Sequence, residues 1–488
     1  MSNHSDMSKD IRDYKAHKTE NMVNVVQELT EEEKILTKSA IRKIDIRVLP
    51  IVMLMYIAAL IDRSNIGAAL ANGLVKGLKL SQSEEANVTA MFYVTYILCE
   101  TPSNILLKKF KPHTWFAFIG TAWSVTCILL AFCKNGTTFV IARAALGIFE
   151  AGLTPGIVSY LPYWYTRSEV AYRMTMFFSA IGIAGIIGNP IAAAFASMKL
   201  GNFMPFQLIF LFEGSVTLII CASAFFIIQD YPDQAKFFTP EEHEIVVRRL
   251  RADQGMASKA KANFKETIDV ILDWRIWMYA QIYFGINNAY TVISIFAPTM
   301  IKNLDYSGTT ATFMAAIPNA TGFIGCVIVL SILNKVKYWK LIFIFGAITI
   351  LGYAVAAYAK AKVVKLIFIA VAGFGSIPNI PVLISWMSVN QGGIYKGAIA
   401  SAIVISYSSI CGAISPKFFV TKYSPDFTVG NLFAIGMYVL SLVLSIFLSL
   451  YFSRINKHRD TNPVDVSHML EEDQRKLNDR HPLFRYKL

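Results

Sequence analysis

The sequence predicts an all-α integral membrane protein in which twelve transmembrane helices form two six-helix bundles. The composition is one reason: 55% of the 488 residues are hydrophobic and only 16% are charged. Together with a mean hydropathy of +0.46, these values exclude an ordinary soluble globular protein. The second reason is that apolar runs of about 20 residues, long enough to cross a hydrocarbon core of about 30 Å, recur through the chain. The third is a polar central stretch that leaves six runs on each side.

The predicted spans set the domain organisation. In chain order they lie near residues 48–70, 89–107, 114–133, 137–161, 172–197, 206–228, 277–301, 311–333, 340–359, 365–388, 397–420 and 430–452. We therefore expect an N-terminal tail with a surface helix, a first bundle, a central loop, a second bundle and a C-terminal tail, at residues 1–47, 48–228, 229–276, 277–452 and 453–488.

Basic residues indicate the orientation of the chain. The net charge is +13, but the basic side chains lie in short loops and tails, so membrane topology explains them better than nucleic-acid binding. They follow the second, eighth and twelfth spans, at Lys108, Lys109, Lys111, Lys335, Lys337, Lys340, Arg454, Lys457 and Arg459. By the positive-inside rule, these ends and both termini are cytoplasmic. One group contradicts the scheme, because it falls in a predicted outer loop: Lys360, Lys362 and Lys365.

Two polar segments predict cytoplasmic helices. After a disordered tail at residues 1–28, Thr30 and Glu33 have the spacing of a capping box and begin a helix that runs toward Arg47. In the central loop, Thr239 begins a second, amphipathic helix, which we interpret as a solvated surface helix rather than a regulatory element.

The first and fourth predicted spans each contain two charged residues. Asp62 and Arg63 are in the first span, and Arg143 and Glu150 are in the fourth. Arg143 and Glu150 are almost two helical turns apart, so they project from one face and are separated by roughly 10 Å along the axis. An ionised group near the bilayer centre costs at least about 2.5 kcal/mol, which favours a polar cavity or an ion-pair partner.

The depths of these residues predict a specific pair. The first and fourth spans run in opposite directions, and Asp62 and Arg143 lie at similar depth, so we predict an Asp62 to Arg143 ion pair. Two structural alternatives stay open: Asp62 and Arg63 snorkel at a helix end, and Glu150 belongs to a purely structural ion pair.

Other acidic residues and the histidines narrow the choice of proton carriers. Glu100 in the second span and Glu213 in the sixth fit structural anchoring and function equally well. The histidines all fall outside the spans, at His4, His17, His113, His243, His458, His468 and His481. Any proton step across the membrane must therefore use carboxylates.

The second bundle is polar without being acidic. Its spans contain Asn287, Asn288, Tyr290, Asn319, Asn379, Ser385, Asn390 and Gln391. Such side chains fit either selection of a ligand by hydrogen bonds or contacts between helices. Of these, Asn287, Asn288 and Asn390 are our candidates for substrate binding. Pro378 and Pro381 predict an interruption of the tenth helix.

Several segments resemble a known family. They include KIDIRVLPIVMLMYIAALIDRSNIGAA at 43–69, ILCETPSNILLKKF at 97–110, ARAALGIFEAGLTPG at 142–156, LFEG at 211–214, DYPDQAKFFTPEEHEIVVRRL at 230–250 and SWMSVNQGGIYKG at 385–397. The set resembles the major facilitator superfamily, in particular its anion:cation symporter branch and the fungal allantoate permease group, which includes allantoate, nicotinate, pantothenate and biotin permeases. Two positions depart from the pattern: Lys108, where the superfamily has an Asp before a basic residue, and Gly397, where relatives tend to have Arg after Lys396.

The resemblance implies proton-driven symport of organic anions. It implies that Asp62 and Glu150 are linked to protons, that Arg63 and Arg143 serve the substrate anion and an ion-pair gate, and that Tyr96 lines the pocket. With a monovalent anion, two protons would leave one net positive charge on the transported complex.

We therefore expect a proton-coupled symporter that imports a small carboxylate by alternating access. A vitamin-like or nitrogen-source carboxylate such as nicotinate is the first choice, and allantoate, pantothenate, biotin or a dipeptide are alternatives. An uncoupled facilitator or a nutrient sensor is the alternative of another class. We expect no enzyme activity, since the chain has no HExxH, GxSxG or phosphate-cradling glycine loop, and no cofactor or metal.

The expected partners are the organic anion, protons and the lipid bilayer, with no nucleic acid, and we expect a monomer. The expected location is the plasma membrane of a fungal-type cell, with the vacuolar or endoplasmic reticulum membrane as alternatives.

Overall fold

A computed structural model describes residues 30–107, 109–235, 237–254, 264–333, 335–391, 394–424, 426–462, 478–482 and 484–488. Within these ranges every regular element is a helix. The predicted tail at residues 1–28 and the atypical Lys108 lie outside the described residues.

Twelve long helical runs follow one another in two sets of six. The first set consists of Leu49–Ala71, Gln82–Leu107, Pro112–Leu130, Gly136–Glu150 continued by Leu153–Tyr160, Arg167–Ser197 and Pro205–Ile227. The second consists of Trp274–Thr291 continued by Val292–Phe296 and Ala297–Lys302, Gly308–Met314 continued by Ala316–Ile332, Tyr338–Tyr358, Lys362–Ser376 continued by Asn379–Val389, Ile394–Ile414 and Thr428–Thr461. We number these runs as the first to the twelfth span.

Ten of the spans, counted over the described part of the chain, are long and apolar enough to cross a membrane. The second and seventh spans are also long helices but carry more polar side chains, among them Glu100 and Asn287. The tenth span is interrupted between Ser376 and Asn379, as the two prolines predict.

The two sets meet at the end that the charge distribution predicts to be outer. Asn72, after the first span, donates to the Thr312 hydroxyl of the eighth span at 2.9 Å. Glu85 of the second span accepts from the Thr421 backbone at 2.8 Å. Gly67 of the first span packs directly on the seventh, where a Cβ on Gly67 would lie 1.7 Å from the carbonyl oxygen of Ile295. Ile295 belongs to a π-helical turn, Val292–Phe296.

Two of the three lysines that contradicted the charge rule have carboxylate partners at this same end. Lys362 pairs with Asp305, and Lys365 pairs with Asp426. The side chains of the first pair are exposed and Lys365 of the second is largely buried, so two of the three positive charges of this loop are offset locally.

At the opposite end, two helices outside the spans pack on each other. The surface helix Glu31–Arg47 begins with the predicted capping box, in which Glu33 accepts from the Thr30 backbone at 3.1 Å. The linker helix Pro240–Gln254 lies against it, since Lys43 contacts Glu242 at 2.6 Å and Arg248 pairs with Glu33. Glu242 also accepts from the Thr239 backbone at 3.0 Å, so the expected helix start is formed.

A C-terminal segment, residues 478–488 without 483, docks on the same end of the second set. Asp273 and Asp479 both bind Lys396 and Arg275, at 2.6 to 2.8 Å. Burial alone would raise the pKa of Asp273, but the hydrogen bonds from Arg275 and Lys396 outweigh burial and lower this pKa to about 2. This four-residue cluster holds the seventh and eleventh spans to the C-terminal segment.

Candidate functional site

The centre of the first set contains an ion pair between Arg63 of the first span and Glu150 of the fourth. Glu150 is fully buried, and the Arg63 side chain is 18% exposed. Each residue keeps one atom without a hydrogen-bond partner, Nη2 of Arg63 and Oε2 of Glu150. The pair therefore has unused hydrogen-bonding capacity inside the membrane.

The predicted pair of Asp62 with Arg143 is not formed. Asp62 instead accepts from the Trp123 indole at 3.1 Å on the third span, and the Nε of Arg143 donates to the Val88 carbonyl at 2.9 Å. The reason is helical geometry: consecutive residues point about 100° apart, so Asp62 and Arg63 cannot both face the fourth span. Arg63, and not Asp62, faces the fourth span.

Arg143 is a buried cation that forms no ion pair with a carboxylate of the described residues. It is 0% exposed, and both of its terminal nitrogens lack a hydrogen-bond partner. Its guanidinium carbon lies 5.1 Å from the centre of the Phe92 ring.

Two aromatic rings of the second span connect the arginines. The Arg63 guanidinium lies 4.7 Å from the Tyr96 ring centre and 5.9 Å from that of Phe92. Both guanidiniums thus lie within 6 Å of the centre of the Phe92 ring. Tyr96 is where the family resemblance placed a pocket residue, whereas we did not predict Phe92. Its spacing of one helical turn before Tyr96 was the available signal.

Glu213 is a further acidic residue near Asp62. Glu213 of the sixth span is 4% exposed. It lies within electrostatic range of Asp62. The described residues contain no group of three or more His, Cys, Asp or Glu side chains placed to hold a metal ion.

Glu100 lies at the junction of the two sets. It is 2% exposed, and its Oε2 accepts from the Ser406 hydroxyl of the eleventh span at 2.7 Å. Its other oxygen, Oε1, has no hydrogen-bond partner. Ser406 was not a sequence-based candidate, because a single serine in an apolar span carries no distinctive signal.

The asparagines of the seventh span contact the eleventh span. Asn287 donates to the Ser408 carbonyl at 3.3 Å, and Asn288 accepts from the Ser415 hydroxyl. Asn287 is partly exposed, whereas Asn288 is fully buried with its amide nitrogen unpaired.

Asn390 is not brought together with the other candidates. It donates to the Tyr279 hydroxyl at 3.1 Å and to the Lys487 carbonyl at 3.0 Å, and it accepts from the Lys487 backbone at 2.8 Å. It follows the last residue of the tenth span, Val389. Its polar groups bind the C-terminal segment.

Comparisons with known proteins agree with this architecture. A sequence model of the Major Facilitator Superfamily matches residues 52–416. The chain is 30% identical over 389 residues to the MFS transporter prlL of Fungal sp. (strain NRRL 50135), covering 78% of each chain. It is 29% identical over 421 residues to a putative tartrate transporter of Agrobacterium vitis, covering 85% of this chain and 92% of the relative.

Solved structures show the same fold at low identity. A bacterial homologue of the human lysosomal transporter Spinster matches with a TM-score of 0.61 and 13% identity, covering 82% of this chain and 95% of that one. A D-xylose-proton symporter matches with a TM-score of 0.61 and 14% identity, covering 81% and 96%. The chain is therefore a multi-pass membrane protein that belongs to the Major Facilitator Superfamily, a family of membrane transporters and not of enzymes.

Proposed function

We propose that the protein is a proton-coupled symporter that imports a small organic carboxylate, as a member of the anion:cation symporter branch and its allantoate permease-like group. The observation that carries the proposal is the buried Arg63 to Glu150 pair, with Nη2 of Arg63 unpartnered. A carboxylate is the ligand chemistry that a planar guanidinium binds best, through two parallel hydrogen bonds.

The pair provides a coupling step. A substrate carboxylate that binds Arg63 competes with Glu150 for the same guanidinium. Glu150 would then be left as a buried charge without a cation, which is strongly unfavourable, so it takes up a proton. Binding of the anion and binding of a proton therefore support each other.

Asp62 gives the proposal a second protonatable group. It is fully buried, and its hydrogen-bond donors are the Trp123 indole and the Cys127 thiol. Neither donor carries a charge, and Asp62 has no ion pair among the described residues, so a proton can neutralise it without breaking one.

The substrate class rests partly on relatives. The putative tartrate transporter is named for an organic acid, which supports a carboxylate. Nicotinate or another vitamin-like or nitrogen-source carboxylate is the first compound to test, and the plasma membrane of a fungal-type cell is the location that we propose.

Two measurements test the proposal. A thermal-shift screen of the purified protein at mildly acidic pH would compare carboxylates, amines and sugars, since a ligand at 100 times its dissociation constant stabilises a protein by about 2.7 kcal/mol. We expect a carboxylate to stabilise the protein and Arg63→Ala to lose this response. The exposed Arg454 provides a control, Arg454→Ala, which should keep it. A response to amines or sugars alone would contradict the proposal.

A further inference from the structure

Glu100 lacks a cation in the structure. It contacts no Lys or Arg at ion-pair distance in the described part of the chain, and Ser406 supplies its single side-chain hydrogen bond. An ionised carboxylate that is 2% exposed is unfavourable without a cation. In the described part of the chain, the ionised form of Glu100 therefore has one hydrogen bond, from Ser406, and no cation.

The position of Glu100 relates it to Arg63. Glu100 follows Tyr96 by four residues, so the two project from one face of the second span with a rise of roughly 6 Å between them. The Arg63 guanidinium lies 4.7 Å from the Tyr96 ring centre, and Arg63 and Glu100 are within electrostatic range of each other. Arg63 thus lies over the Tyr96 ring, and Glu100 lies one helical turn after Tyr96 on the same span; Arg63 and Glu100 each have an unpartnered atom.

This face is directed at the second set of spans. Ser406 donates to Glu100 from the eleventh span. Almost two turns before Glu100 on the second span, Tyr93 lies against Gly412 of the eleventh span, where a Cβ would be 2.4 Å from the tyrosine ring. Several polar side chains here are partly exposed in spite of their depth, among them Arg63, Tyr93, Asn287, Ser406 and Tyr407. A small ligand at this junction would touch both sets.

We propose that the ligand carries a cationic nitrogen in addition to its carboxylate, with Arg63 binding the carboxylate, Glu100 binding the cation and Tyr96 lying between them. This inference rests on the proposed function, because it assigns a second recognition group to the same site. The ligand is a small zwitterion such as a cyclic amino acid or a short peptide.

Matched ligand pairs test the inference. Nipecotate and cyclohexanecarboxylate share a ring and a carboxylate and differ by one ring ammonium. Leucylglycine and 4-methylpentanoylglycine differ by the terminal ammonium. Affinities would be measured by calorimetry on the purified full-length protein at mildly acidic pH. We expect the cationic member of at least one pair to bind about tenfold more tightly or better, the range for a hydrogen bond to a charged group.

Two variants assign the preference to Glu100. Glu100→Gln keeps the size of the side chain but removes the charge, so it should reduce the preference for the cationic member to within about twofold. Ser406→Ala keeps the carboxylate and should keep the preference. Glu241→Gln, at an exposed position of the linker helix, is the matched control. Melting temperatures of the variants show that each one folds.

The outcomes separate this inference from the proposed function. Equal affinities within both pairs, or a preference that persists in Glu100→Gln, would contradict the proposal that the ligand is a zwitterion. The proposed function would still be supported if Arg63→Ala lost carboxylate binding. If Glu100→Gln changes only the pH dependence of binding, Glu100 is a proton site and the inference is wrong. If no carboxylate of either kind binds, both proposals fail.

Discussion

Arg63 pairs with Glu150, although Arg143 stands on the same helix as Glu150, two turns before it. The cation that neutralises Glu150 thus comes from the first span and not from its own helix. Because the pair joins two helices, breaking it changes both the charge balance of the site and the contact between these helices. Arg143 keeps its own position through the Val88 carbonyl and the Phe92 ring.

Substitution of Glu150 separates accumulation from exchange. Glu150→Gln cannot take up a proton, so we expect proteoliposomes with this variant to lose uptake against a substrate gradient while they still exchange internal for external substrate. The measurement is uptake of radiolabelled substrate with and without an imposed pH gradient. Accumulation at the wild-type level would show that Glu150 does not couple protons.

The proposed protonation of Asp62 predicts how substrate uptake depends on the membrane potential. Every proton that moves with the substrate adds one positive charge, worth roughly 2.3 kcal/mol per 100 mV, or about fifty-fold accumulation. We expect Asp62→Asn to reduce the dependence of uptake on membrane potential by one charge at a fixed pH gradient. Valinomycin-clamped vesicles give the slope. Identical slopes for wild type and variant would mean that Asp62 carries no transported proton.

The close contact at Gly67 predicts that a substitution there shifts the equilibrium between conformations in which the first and seventh spans meet and those in which they separate. A side chain at this position would collide with the Ile295 carbonyl, at 1.7 Å from the new Cβ, so Gly67→Ala should disfavour the arrangement in which the first and seventh spans meet. We expect faster labelling of a cysteine placed at Thr312 by a membrane-impermeant maleimide. Gly436→Ala is the control, since a Cβ there would meet nothing within 4 Å. The same labelling rate in both variants would contradict the prediction.

Asp273 predicts a pH dependence of stability. Its pKa falls from 3.8 to about 2 on folding, so the ionised form stabilises the folded state by about 2 kcal/mol above pH 4, and this contribution disappears as the pH falls through about 2. Asp273→Asn should therefore lower the melting temperature at neutral pH. The gap to wild type should close toward pH 2, as followed by thermal unfolding in detergent. A gap that does not change with pH would exclude this ionisation as its cause.

Asn390 is expected to act on stability and not on binding. Asn390→Ala removes three hydrogen bonds to Tyr279 and Lys487, at about 1 kcal/mol each, less what water restores. We expect a lower melting temperature with unchanged ligand affinity. Asn287→Ala is the comparison, because Asn287 is partly exposed at the junction of the two sets. Weaker ligand binding by Asn390→Ala would show that Asn390 contributes to ligand binding after all.

The sequence contained the elements of the fold but not the partners of the charges. Apolar length predicted the spans, and local chemistry predicted the capping box at Thr30 and the break after Ser376, because both depend on neighbours a few residues away. The partner of Glu150 depends on the rotation of the first span about its axis. A rotation of one residue exchanges Asp62 for Arg63, and hydropathy does not fix it.

Contacts between segments that are distant in the chain could not be predicted from the sequence for a related reason. Asn390 binds Lys487, 97 residues later, and Ser406 binds Glu100 across 306 residues. Each is an ordinary polar residue in its local sequence. Such pairings are set by the packing of whole helices, which periodicity along one helix does not describe.

The linker helix Pro240–Gln254 has a consequence for measuring how this transporter moves. It is fastened to the surface helix through Lys43 and Glu242 and to the fifth span through Arg249 and Glu169. A spectroscopic probe attached to it at Glu241 would report the orientation of the first six spans and not the motion of a free loop. Together with a second probe at Arg454, it would report the distance between the two sets of spans without changing any membrane-buried residue.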